Sequence, residues 1–193
     1  MITTVLFDLD GVVRHFDPGF LADIEQRHGL EAGVLMRTAF QSDLVTLALT
    51  GQITRKEWFA SVGEAIRCVE ATTEWLGDIG SPDPAVLAEI DALRNRGLTI
   101  AMLTNGTTAI DEELHALDLT HRFDAIFNSA IIGYTKPDHR VFGHVCDELR
   151  VAPSEVFFVD DSATNVSAAA RFGMMSQHFE GVAKLRDDLT DLG

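Results

Sequence analysis

Hydrophobic positions along this chain follow two rhythms. Short, uninterrupted apolar runs rich in β-branched and aromatic residues occupy positions 3–9, 98–103, 125–127 and 156–159, with a weaker one at 175–179. Between them the apolar residues change to helical spacing, as in Val86, Leu87, Ile90 and Leu93, which share one face. Strands apolar on both faces that alternate with helices predict a parallel sheet covered on each side, a doubly wound, Rossmann-like α/β fold. Helix boundaries carry matching signals. Ser81-Pro82-Asp83-Pro84 supplies a cap and a first-turn proline to the helix that Gly97 stops. Asp138 stands before the helix carrying Val141, Phe142, Val145 and Leu149, and Ser162 or Asp161 can cap the one that ends before Gly173.

Residues 16–80 break this alternation. Phe20, Leu21 and Ile24, then Val34, Leu35 and Phe40, then Leu44, Leu47 and Leu49, then Trp58, Phe59, Val62 and Ile66 recur at helical spacings, with no strand-like run among them. The pattern predicts an α/β core made of residues 1–15 and 81–193, interrupted by a small α-helical insertion at 16–80. The insertion's apolar residues are expected to form its own core, with Trp58 and Trp75 either inside it or at an interface.

Composition narrows the function. The 193 residues are 46% hydrophobic, which suits one such core with a substantial interior. Fifteen Lys and Arg stand against 30 Asp and Glu, a formal charge of −15, which argues against nucleic acid as a partner. No apolar run approaches the length of a membrane span, and the start carries no basic leader segment. Cys68 and Cys146 lack metal or redox spacing and are expected as two buried thiols, so the chain is expected in the cytoplasm. A monomer and a homodimer are equally open. Only three lysines occur, Lys56, Lys136 and Lys184.

Ligands of open α/β sheets bind beyond the carboxyl ends of the strands. Those ends carry Asp8 and Asp10, then Thr104-Asn105-Gly106, then Asp160-Asp161, with Lys136 in the loop after the third core strand. Two carboxylates about 4 Å apart repel by ~4 kcal/mol at an effective dielectric near 20. Several together protonate or separate unless a cation sits among them, and an all-oxygen donor set selects a hard ion such as Mg²⁺. The seven histidines show no metal-binding spacing.

These strand ends carry a resemblance. Phe7-Asp8-Leu9-Asp10-Gly11-Val12-Val13, Leu103-Thr104-Asn105-Gly106, Thr135-Lys136-Pro137-Asp138 and Phe158-Val159-Asp160-Asp161-Ser162-Ala163-Thr164-Asn165 resemble, in order, the four motifs of the haloacid dehalogenase-like hydrolases. The match covers residues 1–13 and about 85–180. The resemblance implies a phosphatase whose Asp8 attacks phosphorus to give an aspartyl-phosphate, while Asp10 first protonates the leaving alkoxide and then deprotonates water. It implies that Thr104, the amide of Asn105 and Lys136 hold the phosphoryl group. Mg²⁺ is implied at the Asp8 side chain, the Asp10 carbonyl and the Asp160/Asp161 pair, with Asp161 the preferred direct ligand and Asn165 supporting the loop. The insertion resembles a C1-type cap, and Arg14 or His15 at its entrance is a candidate substrate contact. The implied substrate is a small phosphorylated metabolite, in the manner of sugar-phosphate phosphatases. A phosphomutase, a haloacid-type dehalogenase and a non-catalytic binding module are the alternatives. Asp10 disfavours the dehalogenase, because halide leaves without a proton whereas an alkoxide needs one.

Overall fold

The computed structural model describes residues 1–40 and 43–190. Its centre is a five-stranded parallel sheet built from β1 (Thr4–Phe7), β4 (Thr99–Thr104), β5 (Ala125–Asn128), β6 (Val156–Asp160) and β7 (Met175–His178). The strand order is β5-β4-β1-β6-β7. β1 is therefore flanked on both sides, and the order reverses next to it, where this architecture opens a crevice at the strand ends.

The three central strands β1, β4 and β6 each serve two cores, which is why their sequences read as continuously apolar. Val5, Phe7, Ile100, Met102, Phe157 and Val159 face one layer with Val86, Ile90 and Leu93 of α6 (Pro84–Asn95), Ile110 and Leu114 of α7 (Ile110–Ala116), and Leu185 and Leu189 of α11 (Val182–Thr190). Leu6, Ala101, Leu103, Val156 and Phe158 face the other, with Val141, Phe142 and Val145 of α9 (His139–Leu149) and Ala168 and Ala169 of α10 (Ala163–Phe172). Neighbouring side chains on a strand point to opposite faces, so only a run without polar interruption fills both layers.

The expected caps are in place. Asp83 accepts from the amides of Ala85 and Val86 ahead of Pro84, Asp138 accepts from Arg140, Ser162 accepts from Asn165, and Gly173 ends α10 in the left-handed region. The helices α7, α8 (Ser129–Ile132) and α11 go beyond what periodicity showed. They are short or carry few apolar residues.

The insertion is helical throughout its described residues: α1 (Phe20–Arg27), α2 (Val34–Phe40), α3 (Asp43–Leu49), α4 (Arg55–Ile66) and α5 (Val69–Leu76). Ala39, Ala48, Trp58, Phe59 and Val62 form one apolar cluster and Ile24, Leu35 and Ala71 a second, with Trp75 packed against both. The chain enters and leaves through a feature too short to announce itself. Two residues on each side, β2 (Arg14–His15) and β3 (Ser81–Pro82), pair antiparallel. Cys146 is buried as expected, and burial pushes its thiol up to about 11. Cys68 departs from the expectation: at the start of α5 it is half-buried, with Sγ 3.6 Å from His28 Nδ1. Among the described residues no helix is long and apolar enough to cross a membrane.

Candidate active site

The carboxyl ends of β1, β4 and β6 bring the motif residues to one edge of the sheet. Asp8 follows β1 directly, and its main-chain N–H donates to Val159 O at 2.9 Å, so its backbone is part of the ladder with β6. Its Oδ1 accepts from the Leu9 amide at 2.7 Å and lies 2.7 Å from Lys136 Nζ. Among the described residues Asp8 Oδ2 accepts no hydrogen bond, so one oxygen of this carboxylate is free to react or to ligate.

Lys136 reaches the centre of the cluster. Its ammonium also lies 2.7 Å from Asp160 Oδ2, and its side chain is almost fully buried. Burial acts to lower its pKa, but Asp8 and Asp160 outweigh burial and hold it above the ordinary lysine value. The loop bearing Lys136 is clamped at both main-chain polar groups by one side chain: Asn105 Oδ1 accepts from Lys136 N at 2.8 Å, and Asn105 Nδ2 donates to Lys136 O at 2.9 Å. Sequence reasoning gave Asn105 a main-chain role at the phosphoryl group. Its side chain has this second task, which the motif spacing does not reveal. Thr104 is buried at the end of β4.

The two adjacent aspartates differ sharply. Asp160 is 0% exposed, and both of its oxygens are taken: Ser162 N and Asn165 Nδ2 on Oδ1, Lys136 Nζ and Asn165 Nδ2 on Oδ2. A carboxylate has about four acceptor positions, and three donors, Asn165 Nδ2 being shared between the two oxygens, occupy most of those on Asp160. Asp161 is exposed and, among the described residues, its side chain is hydrogen-bonded to no other residue. It lies across Gly11, whose φ is +86° and where a Cβ would come 2.1 Å from Asp161 Oδ2. Gly11 therefore serves the tight turn after Asp10 and leaves room for the second carboxylate.

Asp8, Asp160 and Asp161 each present an oxygen, and these lie within 4.8 Å of one another. One ammonium, paired with Asp8 and Asp160, stands against three carboxylates. Burial pushes the Asp8 carboxyl up to about 7, with Lys136 pulling it down and Asp160 pushing it further up. Burial and then Asp160 raise Asp161 as well. The unbalanced negative charge and the all-oxygen donor set fit a hard divalent cation, which favours the ionised form of each group.

Asp10 sits apart from this cluster. Its carboxylate is gripped by Arg14, Nε to Oδ1 at 2.6 Å and Nη2 to Oδ2 at 3.1 Å. The expected substrate contact at Arg14 or His15 meets side chains that already have partners. Arg14 is buried and also donates to Glu113 Oε2 at 2.7 Å, while His15 Nε2 lies 3.3 Å from Asp83 Oδ2. Glu113, on α7, was not among the candidates, because a glutamate within a run of acids on a short helix carries no sequence signal.

Comparison with known proteins places this arrangement. (S)-2-haloacid dehalogenase 1 of Pseudomonas sp. (strain CBS-3) is 34% identical over 102 residues, covering 52% of this chain and 45% of that protein. D-ribitol-5-phosphate phosphatase of Bacteroides thetaiotaomicron is 24% identical over 202 residues, covering 98% of each. The chain spans half or less of the length of several curated relatives it matches, the dehalogenase among them. A HAD family enzyme from Bacteroides thetaiotaomicron, solved in complex with magnesium and inorganic phosphate, shares the fold with a TM-score of 0.79 at 20% identity, over 96% of this chain and 99% of that one. The sequence profile of the haloacid dehalogenase-like hydrolases matches residues 2–173, and the chain belongs to that family.

Proposed function

We propose that this hydrolase is a Mg²⁺-dependent phosphatase that cleaves a small phosphomonoester through phosphorylated Asp8. The observation that carries the reading is the buried Asp8–Lys136–Asp160 chain, which fixes one oxygen of Asp8 and leaves the other free at the strand edge. In this reading Asp8 Oδ2 attacks phosphorus as the bond to the leaving oxygen breaks. Lys136 keeps Asp8 oriented and offsets the charge that burial would otherwise neutralise. Thr104 and the amide of Asn105 receive phosphoryl oxygens. Asp10 gives a proton to the departing alkoxide, then takes one from the water that cleaves the acyl-phosphate.

Asp161, the Asp8 side chain and the Asp10 carbonyl would hold Mg²⁺, with Asp160, both of whose oxygens already have partners, behind them. Bound there, the ion stabilises negative charge on the transferring group. The exposure of Asp161 against the partnered oxygens of Asp160 supports Asp161 as the direct ligand. The D-ribitol-5-phosphate phosphatase among the relatives supports a sugar or polyol phosphate as substrate. A dehalogenase also stands among the relatives. Asp10, held in a fixed position two residues after the nucleophile, favours phosphorus over carbon chemistry.

The test is hydrolysis of p-nitrophenyl phosphate with Mg²⁺, followed by a panel of sugar and polyol phosphates. Asp8→Asn is expected to abolish turnover, and a chelator to do so reversibly. Wild-type rates in Asp8→Asn, indifference to the chelator, or halide release from 2-haloacids without phosphatase activity would overturn the reading. Release of inorganic phosphate in a single turnover separates it from a phosphomutase.

A further inference from the structure

We propose that Arg14 is the positioning residue of Asp10, and that Glu113 and Arg55 extend this hold to the helical insertion. The inference rests on the phosphatase reading above. It concerns which residues make Asp10 competent.

The guanidinium of Arg14 meets Asp10 as a fork, one N–H to each carboxylate oxygen, at 2.6 and 3.1 Å. Each oxygen has two lone pairs, so the fork leaves one on each for a leaving group or a water. The Asp10 side chain is 43% exposed while that of Arg14 is 3% exposed, so the carboxylate faces outward on a buried support. The support is itself fixed. Arg14 Nη1 donates to Glu113 Oε2 at 2.7 Å and to Ile79 O at 3.3 Å. Its stem lies against Gly80, φ +70°, where a Cβ would stand 3.0 and 3.2 Å from Cγ and Cδ.

The other oxygen of Glu113 faces Arg55 Nε at 3.3 Å, at the first turn of α4 in the insertion. Arg55 also donates to Leu76 O and Asp78 O at 2.9 and 3.1 Å, and its main-chain N–H to Thr108 Oγ1 at 3.2 Å. The chain Asp10–Arg14–Glu113–Arg55 alternates in charge and balances, two acids against two bases. It runs from the loop after the nucleophile, through a core helix, to both the start of α4 and the return segment of the insertion. Replacing buried ion pairs with apolar residues is often neutral or stabilising, so fold stability alone does not call for four charges here. Misplacing a reacting group by about 1 Å costs on the order of 10²-fold in rate, which such a brace prevents.

A proton donor matters only when the leaving group needs its proton. Substituted phenyl phosphates from p-nitrophenyl to unsubstituted phenyl keep the same ring at the bridging oxygen while the leaving oxygen becomes more basic, and kcat/KM reports the first transfer. In Arg14→Met the p-nitrophenyl ester is expected to fall by less than about 3-fold and the phenyl ester by roughly 30- to 100-fold, within the range of general acid catalysis. Glu113→Gln is expected to show the same steepening at about 5- to 10-fold. In an Asp10→Asn background Arg14→Met is expected to add less than about 2-fold, since residues acting as one unit are not additive. Arg14→Lys keeps the charge without the fork and is expected to follow Arg14→Met, so it carries the test if Arg14→Met does not fold. Equal losses across the ester series, or additive effects with Asp10→Asn, would overturn the proposal while leaving the phosphatase reading intact. An active wild type whose Asp8→Asn variant is equally active, or a wild type inactive on the whole series, removes the reaction and the proposal with it.

Discussion

The sheet edge and the helical insertion are held together by different physics. At the edge Asp8, Lys136 and Asp160 are ionisable, buried and tied by polar partners, so the position of every group is over-determined. In the insertion the ordering comes from apolar contact: Ile24, Leu35 and Ala71 in one cluster, Trp58 and Phe59 in another, with ring centroids 5.2 Å apart. Their junction is narrow. Ser129 Oγ donates to Leu49 O at 2.6 Å, Gly51 lies so close to Ala130 that a Cβ would fall 2.0 Å from its carbonyl oxygen, and Arg55 meets Glu113. Substitutions at the edge should therefore change chemistry even where the protein stays folded, and those in the insertion should change stability with little effect on chemistry.

The largest expected effect is at Lys136. Lys136→Met leaves Asp8 and Asp160 facing each other in the interior, and breaking a buried pair this way costs about 3–5 kcal/mol. Turnover of p-nitrophenyl phosphate is expected to fall by at least about 10³-fold, since Asp8, the proposed nucleophile, loses its orientation and its counter-charge together. Thermal melts with and without Mg²⁺ sharpen the point. The ion is expected to stabilise Lys136→Met more than the wild type, because the variant carries one more uncompensated negative charge. Equal Mg²⁺ stabilisation of both would show that the cation does not share the charge of this cluster.

Next comes Gly11. Gly11→Ala asks a residue with a Cβ to adopt φ +86° and drives that Cβ toward the Asp161 carboxylate. Supporting contacts of this kind are typically worth 10- to 100-fold in metal affinity. The expected outcome is an activity curve shifted to roughly 10- to 100-fold higher Mg²⁺ with secondary structure unchanged by circular dichroism. A curve that does not move would mean that Asp161 is not a ligand.

How far the sequence revealed these two regions follows from the same difference. Apolar runs such as Val156 to Val159 are local patterns, and they show the parallel sheet because a strand serving two cores has no polar gaps. Asp8, Asp10 and the Asp160/Asp161 pair stand at strand ends, so strand topology brings them to one edge, whereas Lys136, in the loop beyond α8, is fixed there by Asn105. The partners that orient them are not local. Arg14 and Glu113 are 99 positions apart, and the pairing of Asn105 with Lys136 crosses 31 positions between loops. Nothing in either neighbourhood marks such a contact. The β2–β3 pair escaped notice for a related reason, since two residues per strand hold no periodicity.

Leu35 tests the insertion side of the comparison. It is fully buried against Ile24 and Ala71, with no contact to the acidic cluster among those packed around it. Leu35→Ala is expected to lower stability by about 2–5 kcal/mol, measured by denaturant unfolding. At a temperature where the variant stays folded, kcat/KM for p-nitrophenyl phosphate is expected to stay within about 3-fold of wild type. A loss of activity equal to that of Lys136→Met in a folded protein would erase the distinction between the two regions.

The smallest effect separates stability from coupling within α4 itself. Thr54 accepts from the Glu57 amide and Glu57 returns a bond to Thr54 N, a reciprocal cap one residue before Arg55. Removing an N-cap hydroxyl costs typically about 1 kcal/mol. If the cap only starts the helix, Thr54→Ala lowers stability by that amount and leaves the phenyl to p-nitrophenyl phosphate ratio of kcat/KM untouched. If it also holds Arg55 at Glu113, the ratio falls in the direction of Glu113→Gln though by less. The Arg55 guanidinium keeps its bonds to Leu76 O and Asp78 O without help from Thr54, so the first outcome is the one expected.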